Sequence, residues 1–360
     1  MRIAVCCGGT GGHIFPGLAM AEELKARGHD VGLWLAGRSV EGTAVAGWGG
    51  EVVVVKARGF SGVGLQSLAT IYSLIRSYFY CRRKMKASRP AVLLAMGSYA
   101  SVGPVLAARS LGTRVVLHEA NAVPGRAIST LARFADCVAI SDESARRHLK
   151  GRRCVFTGLP IRREIARVER KRGHSDVFTI LVLGGSQGAR AVNDVVSRAV
   201  CSAHRKGLRL RIIHLSGPAD EAAMRLRYEQ AGVPHEVHGF LREMDCAYAA
   251  ADFAICRSGA ATCAELAAVG LPALLVPLPG APRDHQTANA KAMRERGAAD
   301  MIAQGELTEE WLAGYLSTTV PDHQKQELMR DAAASCRGAD ATAMLADLVE
   351  TTGKEAACPR

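Results

Sequence analysis

The sequence predicts an α/β protein made of two doubly wound domains, each a parallel sheet covered by helices on both faces. Three observations carry that expectation. Short β-branched runs alternate with longer helical patterns along the whole chain. The alternation restarts after residue 175, and a glycine-rich turn follows the first strand of each run. The length of 360 residues agrees, since domains usually span ~100–200 residues.

In the first run strands are expected at residues 2–6, 31–35, 52–55, 92–95, 115–118 and 137–140. In the second they are expected at 179–183, 210–214, 253–256, 273–276 and 299–302. Helical spacing covers 16–27, 187–203 and 260–269. The seam falls in the basic stretch 158–173, where Gly158-Leu159-Pro160 reads as a turn. This gives domains at 1–160 and 161–335, with 336–360 expected as a helix returning to the first. Ligands of open α/β sheets bind beyond the carboxyl ends of the strands, so a cleft between the domains is the expected site.

The charge is uneven. Residues 1–160 hold 21 Lys and Arg against 9 Asp and Glu, while 161–360 hold 25 of each. The entire net charge of +12 therefore sits in the first half, which is where a polyanionic partner should meet the chain. No run reaches the ~18 apolar residues of a membrane-spanning helix. The apolar start Ile3-Ala4-Val5-Cys6 runs straight into glycines and suits a first core strand better than a signal peptide. Eleven cysteines, an odd number with no Cys-x-x-Cys or Cys/His pairing, read as buried thiols in a reducing compartment and not as disulfides or zinc ligands.

The first glycine turn is Cys7-Gly8-Gly9-Thr10-Gly11-Gly12-His13. Such a turn lets backbone N–H groups approach an anion at a helix N-terminus. It fails the dinucleotide fingerprint, because counting from Gly9 places Ile14 at the third glycine, and no Lys-Ser/Thr follows to make a phosphate loop. The second turn, Gly184-Gly185-Ser186-Gln187-Gly188-Ala189-Arg190, opens the second run in the equivalent place. Two such turns suit a donor and an acceptor that both carry phosphate.

These motifs belong to a larger set: GGTGGHIFPG at 8–17, MGSYASVGP at 96–104, HEAN at 118–121, TGLPIR at 157–162, GGSQGAR at 184–190, GFLREM at 239–244, RSGAATCAE at 257–265 and DHQTANA at 284–290. In this set and order the chain resembles the MurG family, the GT-B glycosyltransferases of bacterial peptidoglycan synthesis. The resemblance implies two Rossmann-like domains facing a cleft. It also implies inverting transfer of GlcNAc from UDP-GlcNAc to the 4-hydroxyl of undecaprenyl-diphosphate-linked muramoyl-pentapeptide, with no cofactor. The chain departs from the family where Ala120 replaces Gln, where Leu159 replaces Asn, and where Val63-Gly64-Leu65 replaces a basic residue.

By the resemblance, Arg162 and Ser186 lie on the diphosphate side of the donor. The helix start Ala260, Ala261, Thr262, Cys263 and Ala264 faces the nucleotide, Glu265 accepts the ribose hydroxyls, and the Leu241 backbone meets the uracil. Asn121 and Gln286 contact the GlcNAc, for which an amide offers both a donor and an acceptor. Thr10, Gly11, Gly12 and Tyr99 fall to the acceptor. Two residues compete as general base. His13 has a suitable side chain at the first glycine turn, and Glu119 follows the strand at 115–118. The residues alone leave that choice open.

Between the glycine turns, Leu68, Ile71, Tyr72 and Ile75 have helical spacing and are followed by Arg82, Arg83, Lys84 and Lys86. Apolar bulk beside a cation cluster suits an anionic membrane surface. The resemblance places that surface on the cytoplasmic face of the bacterial inner membrane. A nucleic-acid binder would show interleaved aromatics and a reading motif, and this chain has 5% aromatics and no such motif. A UDP-GlcNAc 2-epimerase of the same two-domain architecture is the rival enzyme, distinguished by needing no lipid acceptor. A non-catalytic basic lipid-binding protein is the other alternative, which would leave the many polar cleft residues without a purpose.

Overall fold

Runs such as Ile3-Ala4-Val5-Cys6 and Ile180-Leu181-Val182-Leu183 offer no polar side to water, so they pair into parallel sheets buried on both faces. The computed structural model describes residues 1–37, 39–55, 65–169, 177–185, 188–337 and 340–355. It divides into two units, Met1–Arg162 with Ala339–Arg360, and Arg163–Gly338. Arg162 therefore closes the first unit, whereas the sequence seam placed it in the second.

The first unit has seven parallel strands: β1 (Arg2–Cys6), β2 (Asp30–Leu35), β3 (Val52–Val54), β4 (Val92–Ala95), β5 (Arg114–Glu119), β6 (Cys137–Ile140) and β7 (Cys154–Phe156). Their order is β3-β2-β1-β4-β5-β6-β7, so the chain reverses direction across the sheet between β1 and β4. Helices α1 (Gly11–Ala26), α2 (Ser39–Ala44), α3 (Leu65–Ser88), α4 (Val102–Ser110) and α5 (Arg126–Leu131) cover it. α1 begins five residues before the expected start, so His13 stands on its first turn. Packing overrides the poor helix propensity of glycine and proline there: a Cβ on Gly17 would lie 2.1 Å from the Cys7 Cβ, so the helix rests directly on the turn leaving β1.

The second unit has six parallel strands: β8 (Phe178–Leu183), β9 (Leu210–Leu215), β10 (His235–His238), β11 (Phe253–Cys256), β12 (Ala273–Leu275) and β13 (Ala299–Met301). Their order is β10-β9-β8-β11-β12-β13, with the reversal between β8 and β11. Its helices are α6 (Arg163–Ala166), α7 (Arg190–Arg205), α8 (Glu221–Gln230), α9 (Met244–Ala250), α10 (Ala260–Val269), α11 (His285–Glu295), α12 (Glu309–Thr319) and α13 (His323–Ser335). α14 (Ala341–Lys354) packs on α1, β4 and β5 of the first unit. Arg27 fastens it there through Asp347 and Glu350, and Asp340 caps its N-terminus by accepting from the Thr342 and Ala343 amides.

Every described cysteine is free. Burial pushes the Cys6, Cys81 and Cys263 thiols up to about 12, so they remain protonated core residues. Among the described residues no helix is long and apolar enough to cross a membrane.

Candidate active site

In each unit the strand order reverses between two central strands, and candidate residues stand at their carboxyl ends, while Arg162 follows β7, Leu241 follows β10 and Gln286 follows β12. In the first unit the segments concerned are the turn after β1 and the loops after β4 and β5. Ser98 joins two of them, its hydroxyl donating to the Gly8 carbonyl at 2.7 Å. Ser98 itself has φ 68°, left-handed backbone that a non-glycine residue holds only when its surroundings fix it. The buried Glu41 carboxylate accepts from the Gly9 N–H at 2.8 Å and the Gly37 N–H at 2.6 Å. The anion at the Gly9 amide is therefore the protein's own carboxylate. Thr10, Gly11 and Gly12 form the α1 N-terminus beyond it, with Gly11 buried and Thr10 and Gly12 exposed.

His13 is held on both sides. Its Nδ1 lies 3.0 Å from Thr10 Oγ1, and Gly97 lies against the opposite edge, where a Cβ would come within 3.3 Å of Nε2. With Nδ1–H donating to Thr10, the proton-accepting lone pair is on Nε2. Tyr99 is half-buried in the short helical turn after Ser98.

Glu119 ends β5. It is 3% exposed, and its carboxylate accepts from the Asn121 N–H at 2.9 Å, Asn121 Nδ2 at 3.0 Å and the Gly125 N–H at 2.8 Å. These donors satisfy the charge and shape the loop after β5. Because Nδ2 of Asn121 is engaged, its Oδ1 is the atom oriented as an acceptor. The geometry favours loop anchoring for Glu119 over proton abstraction. Neighbouring His118 is fully buried and bonds the Gly158 carbonyl at 3.0 Å and Ser141 Oγ at 3.2 Å. Desolvation, aided by the nearby His13, pushes its pKa down to about 4, so it is neutral at ordinary pH. Arg162 is buried with its guanidinium over the Phe15 ring, 4.7 Å from the centroid, which brings it beside the first turns of α1.

In the second unit the glycine turn after β8 is described at Gly184, Gly185 and Gly188, and Ser186 lies outside the described residues. Gly188 sits against the turn after β9, where a Cβ would fall 2.2 Å from the Ser216 carbonyl oxygen. A buried polar string fixes that turn. Asn193 Nδ2 donates to Ser216 O at 2.8 Å and Asp220 Oδ2 at 2.9 Å. His214 contacts Asn193 Oδ1 at 3.1 Å and Tyr228 Oη at 3.0 Å. Burial pushes His214 down to about 3.

α10 begins after Gly259, so its first amides point out of the strand end. Ala260, Ala261, Thr262 and Ala264 are half-buried, while the Cys263 side chain packs into the core and offers the site only its backbone. Glu265 is 8% exposed, and Tyr248 Oη donates to its Oε2 at 2.8 Å. Gln286 Oε1 accepts from the Leu278 N–H at 3.0 Å, and the Gln286 carbonyl accepts from Ser258 Oγ at 2.9 Å. Just before it, Arg283 and Asp284 both have left-handed backbone, at φ 55° and 52°. Arg257 braces this loop by donating to the Val276 and Pro277 carbonyls, each at 3.1 Å. Leu241 is half-buried against the core cluster to which Cys263 and Leu266 of α10 belong.

Sequence reasoning missed Glu41, Ser98, Tyr248 and Arg257 as organisers. The first two reach the glycine turn from residues 32 and 90 positions away; Ser98 lies within the motif at 96–104, but nothing local shows that it contacts Gly8, and Glu41 lies in none of the motifs.

The Glycosyltransferase family 28 N-terminal domain matches residues 3–140, and the Glycosyltransferase family 28 C-terminal domain matches residues 179–347. A UDP-N-acetylglucosamine--N-acetylmuramyl-(pentapeptide) pyrophosphoryl-undecaprenol N-acetylglucosamine transferase from Citrifermentans bemidjiense is 38% identical over 323 residues, covering 88% of this chain and 90% of the relative. The chain belongs to the MurG family. A same-named relative from Burkholderia ambifaria is 40% identical, with 87% of this chain and 86% of the relative covered. The crystal structure of Acinetobacter baumannii MurG is 29% identical with a TM-score of 0.75, covering 97% of this chain and 99% of that one. A UDP-N-acetylglucosamine 2-epimerase structure reaches a TM-score of 0.69 at 15% identity, covering 100% of this chain and 97% of that one, a likeness of fold alone. The MurG family accounts for the two GT-B-type units and makes the chain a glycosyltransferase.

Proposed function

We propose that the chain transfers N-acetylglucosamine from UDP-N-acetylglucosamine to the 4-hydroxyl of an undecaprenyl-diphosphate-linked muramoyl-pentapeptide, with inversion at the anomeric carbon. The observation that carries this reading is identity of 38% over most of the chain with a relative named for that transfer. The epimerase structure, at 15% identity, is a likeness of fold alone.

In this reading Nε2 of His13 takes the proton of the attacking hydroxyl as the new O4–C1 bond forms and the bond from C1 to the diphosphate breaks. The bond from Nδ1 to Thr10 fixes the imidazole ring and supports the positive charge it acquires. Glu119 serves the same step indirectly by presenting Asn121 to the sugar. The α10 N-terminus, Ser186 and Arg162 stabilise the leaving UDP, whose negative charge grows in the transition state. Glu265, oriented by Tyr248, accepts from the ribose hydroxyls, and the Leu241 backbone faces the uracil. Gln286 reads the GlcNAc.

The first unit would carry the acceptor and rest on the cytoplasmic face of the inner membrane. α3 supports this. It buries the small residues Thr70, Ser77 and Cys81 and leaves Tyr72, Ile75 and Phe79 more than half exposed. Of the expected apolar stripe, Tyr72 and Ile75 are thus turned outward. Arg82, Arg83 and Lys86 flank Phe79 around a shallow concavity, which suits acyl chains below anionic headgroups.

His13→Ala tests the chemistry. Turnover should fall by about 10²–10⁴-fold, the usual contribution of a general base, with UDP-GlcNAc affinity retained. Near-normal turnover would remove His13 from the mechanism.

A further inference from the structure

The Leu241 backbone is assigned above to the uracil, so whatever fixes the chain leading into Leu241 also bears on base recognition. Two side chains of α8 hold it. Glu221 Oε2 accepts from the Gly239 N–H at 2.9 Å, and Arg225 donates to Glu221 Oε1 at 3.0 Å. The same Arg225 nitrogen donates to the Val237 carbonyl at 2.8 Å. The pair therefore grips the chain on both sides of His238, with an acceptor for one peptide N–H and a donor for one peptide C=O. From the sheet, the Ser216 N–H donates to the His238 carbonyl at 3.1 Å.

Gly239 is fitted to this grip. A Cβ there would lie 2.7 Å from Glu221 Oε2 and 3.0 Å from the Pro218 Cα. Only glycine lets the carboxylate reach the amide while the loop lies flat on the turn after β9. As a surface ion pair one helical turn apart, with side chains 38% and 46% exposed, Glu221 and Arg225 contribute little to global stability. Their placement serves the shape of one loop, and that loop leads directly into Leu241.

We propose that Glu221 and Arg225 are positioning residues for nucleotide-base recognition, clamping Val237 and Gly239 so that the following backbone presents a fixed donor and acceptor pattern to uracil. This rests on the reading of the second unit as the uridine-nucleotide site. Cytosine reverses the donor and acceptor roles at its ring edge, so a clamped backbone favours UDP over CDP and a released one does not.

The test is equilibrium binding of UDP and CDP to the full-length protein, alongside steady-state kinetics with UDP-GlcNAc. Glu221→Ala should weaken UDP about tenfold, as loss of a charge-assisted hydrogen bond does, with CDP little changed. KM for UDP-GlcNAc should rise by the same factor at nearly constant kcat. Glu221→Gln, whose side-chain oxygen still accepts from the Gly239 N–H, should restore most of the discrimination, and a thermal melt follows folding in each variant. If wild type discriminates and Glu221→Ala still does so equally, or loses both nucleotides in proportion, the clamp is overturned. If wild type itself binds UDP no better than CDP, the nucleotide-site reading falls first and the clamp with it.

Discussion

Replacing Glu119 by Gln distinguishes an anchor from a base, because the two roles predict opposite signatures. The carboxylate accepts three N–H groups at 2.8–3.0 Å while almost wholly buried. An amide in its place keeps one oxygen but turns an NH2 group towards at least one of those donors. Charge-assisted bonds of this kind contribute about 1.5–3 kcal/mol each, and a buried N–H left without an acceptor costs about 1–3 kcal/mol. The expected loss is therefore about 2–4 kcal/mol in the first unit, which lowers the melting temperature by about 5–12 °C for a domain of this size. Activity should fall through KM for the sugar donor, since Asn121 is displaced, with the shape of the kcat–pH profile retained. A calorimetric melt paired with kcat measured across pH reads both. An unchanged melt, a kcat loss of about 10³-fold and a flattened acid limb would show instead that Glu119 takes the proton.

Acid should weaken both units. His118 and His214 stay neutral in the fold, with pKa values held down to about 4 and about 3 chiefly by burial. The unfolded chain takes up these protons near the ordinary value of about 6.5, so stability is complete above that pH and falls as pH drops towards the folded values. Each histidine should remove about 2 kcal/mol between pH 6.5 and 5, measurable by urea titration at the two pH values. A stability that is flat over that interval would contradict the burial argument. On membranes, wild type should float with vesicles containing anionic lipid more than with neutral ones. Ile75→Ser with Phe79→Ser should weaken flotation on both, and unchanged flotation would exclude α3 as the contact.

Much of the fold is legible in the sequence because parallel strands buried on both faces are continuous apolar runs. Each of the eleven expected strands lies within one residue of the observed bounds at either end. β7 and β10 escaped notice for the same reason in reverse. They are short and lie at sheet edges, and β10 reads His-Glu-Val-His, a pattern that suits a loop equally well. The early start of α1 was hidden because glycines and Pro16 argue locally against helix, while the contact of Gly17 with Cys7 decides it. In the site, residues within motifs could be named from the sequence, but their division of labour could not. Glu119 reads locally as a base beside a strand end, and the three N–H groups that converge on its carboxylate come from the folded loop, which no spacing in the sequence shows. The roles of Glu41 and Ser98 are defined by distance through space: Glu41 lies in no motif, and the motif at 96–104 does not show that Ser98 reaches Gly8.

The most direct measurement is transfer of labelled N-acetylglucosamine from UDP-N-acetylglucosamine to undecaprenyl-diphosphate-linked muramoyl-pentapeptide by the purified chain. The expected result is label in the lipid fraction, with UDP release that depends on the lipid acceptor. A folded protein that leaves the lipid unlabelled, or that converts UDP-N-acetylglucosamine without it, would contradict the assignment.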